Sequence, residues 1–141
     1  MIIIPARIGS TRFPNKVLAE IQGIPMVIRT AMRAKEVDEA IIATDSPEVV
    51  AIAEKYGIRA ILTSEKHQSG TDRIFEAAQI AKLEDDTVII NLQADEPFIE
   101  TEVIQTIRMM SEKNRSNPEI LINSAYKQLT NPEADDPNIV K

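Results

Sequence analysis

Cysteine and tryptophan are both missing from these 141 residues, glycine appears only four times and histidine once. Without cysteine there is no disulfide, no thiolate metal site and no thiol nucleophile, which is compatible with a reducing compartment. A single histidine excludes a histidine-rich metal centre. Aromatic residues make up 4% of the chain and the net charge is −6 at pH 7. Bases would find few stacking platforms and phosphates little overall attraction, so a general nucleic-acid binder is not expected. No apolar run is long enough to cross a bilayer, and the N-terminus lacks the layout of a signal peptide. The expectation is a soluble, cytoplasmic protein with neither nucleic-acid nor membrane partners.

The hydrophobic content, 43%, is enough for one core and a single domain over residues 1–141. Short β-rich runs alternate with segments of helical period. Ile2 to Ile4 and Ala40 to Thr44 read as buried strands, and Arg59 to Leu62 as a shorter one. Thr87 to Leu92, apolar on both faces, reads as the central strand, and Ile120 to Tyr126 as a further strand. Helical stripes run through Val27, Thr30, Ala31 and Ala34, through Val49, Ile52, Ala53 and Tyr56, through Ile74, Ala77, Ala78 and Ala81, and through Val103, Ile107 and Met110. Ser46-Pro47 is a cap followed by a first-turn proline, and Gly57 a left-handed helix end. The succession predicts a three-layer α/β/α fold with a mostly parallel, Rossmann-like sheet. The final residues, Asn131 to Lys141, break into proline and acid and then resume as Asn138-Ile139-Val140. A domain seldom stops at such a point, and a longer protein lacking its C-terminal part is expected.

In open parallel sheets ligands sit beyond the carboxyl ends of the strands. Three polar loops, at 5–16, 63–73 and 93–97, should therefore share one rim. The first carries Arg7, Arg12 and Lys16 in an otherwise acidic chain. Its cations, with the backbone amides of Gly9, Ser10 and Thr11, suit a polyphosphate, although the P-loop pattern is absent. The second loop, His67 to Arg73, offers hydroxyls and amides to a base or sugar; Thr71 and Asp72 serve equally well as helix caps. His67 reads as a solvated side chain. In the third, Asp95 and Glu96 follow a strand, and one of the pair could hold Mg²⁺ together with ligand phosphates. Asp45, after the second strand, is a weaker candidate of the same kind, and Ser46-Pro47 favours a purely structural turn there.

The motifs PARxxSTRxPxK, ATD, HxSGTDR and NxQxDEP, in this order, resemble 3-deoxy-manno-octulosonate (Kdo) cytidylyltransferase across the whole chain. The resemblance implies a nucleotide-diphospho-sugar transferase fold, Mg²⁺ dependence, CTP and Kdo as substrates, lipopolysaccharide synthesis and a homodimer at full length. It implies that Arg7, Arg12 and Lys16 hold the phosphates. Ser69, Gly70, Thr71 and Arg73 would read cytosine and ribose beside Pro5 and Ala6, Gln93 would contact Kdo, and Asp95 would ligate Mg²⁺. Ser10 is counted with the substrate-binding residues. Ala94 departs from the family's usual glycine, and family members are longer, with a second metal-binding aspartate beyond these residues. An inactive CTP-binding fragment that needs a complementary chain, or an enzyme for another acidic sugar, are the alternatives.

Overall fold

A parallel sheet forms around two apolar segments, Ile2–Ala6 and Ala40–Thr44, that are enclosed on both faces. The computed structural model describes residues 1–9, 14–117, 119–120 and 122–125. The strands are β1 (Ile2–Ala6), β4 (Ala40–Thr44), β5 (Arg59–Leu62) and β6 (Ile90–Asn91), all parallel, in the order β5-β4-β1-β6. Between β1 and β4 a small antiparallel hairpin pairs β2 (Glu20–Ile21) with β3 (Ile24–Pro25). Its turn residues Gln22 and Gly23 both have positive φ, +50° and +75°. That is the geometry two-residue hairpins favour.

The two-residue alternation of the strands sorts side chains into two cores. Ile2, Ile4 and Ile42 face α1 (Met26–Lys35), α2 (Pro47–Lys55) and α4 (Thr101–Asn114), packing with Val27, Ala31, Val49, Ala53 and Ile104. Ile3, Ile41 and Ala43 face α3 (Gly70–Ile80), packing with Ile74 and Ala77. The expected three layers are present. Each isoleucine or valine fully buried in them contributes about 1.5–3 kcal/mol. The Ser46 hydroxyl accepts from Val49 N at the start of α2, and Gly57 ends that helix at φ +64°. Both features follow from the local sequence.

Three expectations need correction. The segment 87–92 is not central. Only Ile90–Asn91 is strand, it pairs with β1 alone, and no strand lies on its other side among the described residues. Residues Ile120 and 122–125 form no strand and Ile122 is exposed; Leu121 and Tyr126 lie outside the described residues. The inner face of α4 is set by Ile104, whereas Met110 is exposed, because the helix packs mainly against α1.

The first crossovers run outward from β1 to β4 and β5, after which α3 crosses the opposite face and the chain returns on the other side of β1. The strand order therefore reverses between β1 and β6. A crevice opens at such a point, and it is where open α/β sheets bind ligands.

Candidate functional site

The reversal brings the three polar loops together. A cleft of about 260 Å³ is lined by Pro5 and Arg7 after β1, His67, Gln68, Ser69, Gly70 and Arg73 around the start of α3, and Gln93 after β6. This lies near the lower end of the size range of small-molecule sites. A larger and more apolar depression lies between Val37 and the α4 residues Gln105, Arg108, Met109 and Glu112. It includes none of the strand-end loops, and Arg108 there already donates to Val37 O (3.1 Å). The convergent polar groups mark the first cleft as the site.

The half-buried Pro5 and the buried Ala6 close β1, and Arg7 stands exposed at the rim. Ser10 and Arg12 lie outside the described residues. Lys16 opens a short 3₁₀ turn, Lys16–Leu18, and its Nζ donates to Asp95 Oδ2 at 2.6 Å, which joins the first loop to the third. Both side chains are close to half exposed. The third loop is fixed from below. The buried Thr30 hydroxyl donates to Ala94 O (2.9 Å), and the Ala94 methyl is itself buried in the core. Gln93 donates through Nε2 to Asn91 Oδ1 (3.0 Å).

Ser69 caps α3 by accepting from Asp72 N (3.1 Å) while its hydroxyl donates to Asp72 Oδ2 (2.6 Å). The cap and the cleft wall are thus one residue, and the two readings of this loop coexist. Gly70 lies so close to Pro5 that a Cβ there would stand 3.3 Å from the proline ring, so the first and second loops touch. Thr71 is exposed in the first turn of α3. Arg73 is only 3% exposed, and its guanidinium donates to Thr63 Oγ1 (2.6 Å) and Asp45 Oδ2 (2.9 Å). It forms part of the wall while being held from behind.

Sequence reasoning missed several contributors. Asp45 accepts from Ile8 N (3.0 Å) as well as from Arg73. His67 is not a free solvated side chain but pairs through Nε2 with Glu76. The Glu76 carboxyl also accepts from Ser64 N (2.8 Å). That backbone hydrogen bond, and after it the bond to His67, holds the carboxyl below its usual value of 4.5. A depressed folded-state value stabilises fully above the unfolded value and less as pH falls through the folded one. Glu76→Gln should therefore lower the melting temperature at neutral pH, and the gap to the wild type should narrow as pH drops below 4.5. Thermal melts across that range check this; a constant or widening gap would contradict it.

Among the described residues no three histidine, cysteine or acidic side chains cluster to hold a metal. The third loop offers the carboxylates of Asp95, which accepts from Lys16, and of the exposed Glu96. One or two carboxylates with ligand phosphates and water are a donor set Mg²⁺ accepts, so the residues present fit it as a shared ligand. No helix of the described residues is long and apolar enough to cross a membrane.

A family model described as cytidylyltransferase matches residues 1–139. The 3-deoxy-manno-octulosonate cytidylyltransferase of Nitratiruptor sp. is 55% identical over 141 residues, which cover all of this chain and 59% of that protein. The protein of the same name from Wolinella succinogenes is 54% identical over 142 residues, covering all of this chain and 58% of that one. Among solved structures, a CMP:2-keto-3-deoxy-manno-octonic acid synthetase complexed with CTP superposes with a TM-score of 0.75 at 40% identity, covering 82% of this chain and 48% of that one. The chain spans somewhat under three fifths of the length of these curated relatives.

Proposed function

The chain belongs to the cytidylyltransferase family, and on that premise we propose that its cleft binds CTP and that the whole protein transfers the cytidylyl group to Kdo. The product would be CMP-Kdo, formed in the cytoplasm for lipopolysaccharide synthesis, with the full-length protein acting as a homodimer. One observation carries this reading: Arg7, the Ser69–Gly70 helix start and Gln93, from three separate loops, line one cleft at the reversal of strand order. The names of the relatives support Kdo as the acceptor.

In the proposed reaction the anomeric hydroxyl oxygen attacks the α-phosphorus in line. The α–β phosphoanhydride bond breaks, pyrophosphate leaves with the bonding pair, and the hydroxyl proton passes to water. No protein nucleophile is needed. Alignment and charge neutralisation carry the rate. Arg7, Arg12 and Lys16 are assigned to the β- and γ-phosphates. Ser69, Gly70 and Thr71 take the base and ribose, within a wall completed by Pro5, Ala6 and Arg73, while Gln93 orients the sugar. Asp95 would hold Mg²⁺, which when bound supplies Lewis-acid stabilisation of the phosphate charge.

The experiment is release of pyrophosphate from CTP, measured with and without Kdo and Mg²⁺. Release that requires both supports the whole reading. CTP binding without release assigns these 141 residues the nucleotide half of the reaction, as the 59% span of the relatives favours. No CTP binding contradicts the reading. Equal turnover with sialic acid in place of Kdo would move the acceptor to another acidic sugar.

A further inference from the structure

Two sides of the cleft are tied together at a carboxylate that is not among the cleft's lining residues. Asp45 follows β4, and its side chain is 11% exposed. One oxygen, Oδ1, accepts from the backbone of Ile8, next to Arg7 on the cation side. The other, Oδ2, accepts from Arg73 Nη2, one turn into α3 from the Ser69–Gly70 side. The second guanidinium nitrogen donates to Thr63 Oγ1, and the Thr63 hydroxyl donates to Thr44 O (3.0 Å), on the strand from which Asp45 itself emerges. Ile8, Asp45, Arg73, Thr63 and Thr44 thus form a chain of hydrogen bonds anchored in the sheet.

The structure assigns Asp45 as a positioning residue that couples the phosphate side of the cleft to its nucleobase side by fixing the distance between them. A ligand that reaches both sides gains over its parts only when their spacing is held; if the spacing wanders, the second contact loses its effective concentration while each part binds as before. The inference rests on the reading that the cleft takes a nucleoside triphosphate. It differs from two simpler roles. As a metal ligand Asp45 would have to turn a lone pair into the cleft, whereas it is not among the cleft's lining residues and each of its oxygens accepts a hydrogen bond behind the wall. As a mere counter-charge it would keep Arg73 from attracting phosphate, and its removal would then tighten anion binding.

The test compares CTP, cytidine and inorganic tripolyphosphate as ligands of the wild type and of Asp45→Asn, which keeps the shape but removes the negative charge that faces Arg73. CTP affinity should fall about ten-fold or more while cytidine and tripolyphosphate each change by less than about three-fold. Thr63→Val, which removes the outer anchor of the guanidinium and leaves Asp45 in place, is the second variant. It should reproduce the pattern at about three-fold for CTP, and it decides the matter if Asp45→Asn does not fold. Equal losses for all three ligands, unchanged CTP binding in Thr63→Val, or tighter tripolyphosphate binding would overturn the coupling. If Asp45→Asn binds CTP as the wild type does, the inference alone falls. Wild-type protein that binds none of the three sinks the nucleotide reading and the inference together.

Discussion

Lys16→Ala should weaken CTP binding by roughly ten- to a hundred-fold and CMP binding far less. The Lys16 ammonium lies 2.6 Å from Asp95 in a pair that is close to half exposed. Such exposed pairs contribute only about 0–1 kcal/mol, so giving this one up for a phosphate costs little. A hydrogen bond to a charged phosphate oxygen contributes about 1.5–3 kcal/mol, and each 1.4 kcal/mol is about a factor of ten in affinity. The loss should concentrate on the triphosphate, because the lysine is assigned to the phosphates that CMP lacks. Calorimetric titration of both nucleotides against the wild type and the variant checks this. Equal losses for CTP and CMP would remove Lys16 from the phosphate site.

The largest effect on stability should come from Arg73→Met. The substitution keeps the aliphatic packing of a side chain that is 3% exposed, but it strips Asp45 of its counter-charge and Thr63 of a donor. Breaking a buried pair by removing one partner costs about 3–5 kcal/mol, since the remaining charge stays buried without compensation. For a chain of this size that corresponds to a melting temperature lower by about 10–15 °C. The double variant Arg73→Met/Asp45→Leu should recover part of the loss, because no orphaned charge remains. A fall of under about 3 °C for Arg73→Met alone would show that water reaches Asp45 and that the clasp is weaker than its geometry indicates.

What the sequence made legible was local. Ala40 to Thr44 reads as a buried strand because every one of its residues is small or apolar enough to be enclosed, and all five are. The start of α2 at Ser46-Pro47 and its end at Gly57 follow from side-chain chemistry within a turn's reach. The convergence of the three loops followed from a general rule about parallel sheets and required no contact to be foreseen. The hairpin Glu20–Pro25 escaped notice because two residues per strand leave no alternation to read. The edge position of Ile90–Asn91 was hidden because an apolar run shows that a strand is enclosed but not which strands flank it.

The clasp at Asp45 was invisible for a similar reason, since its partners Ile8 and Arg73 lie 37 and 28 residues away. A signal did exist in the second case. Arg73 stands four residues before Ala77 on the inner stripe of α3, so an arginine there has to point inward and needs a buried acceptor. Arg73 lines the cleft and is at the same time held from behind by Asp45 and Thr63.

The measurement that bears most directly on the central claim is a backbone amide shift titration of the protein with CTP. If the strand-end loops form one nucleotide site, the amides of Arg7, Ser69, Gly70 and Gln93 should shift together along a single saturation curve. Saturating shifts confined to one of these loops, or centred on the α4 groove at Gln105, Arg108 and Met109, would contradict it.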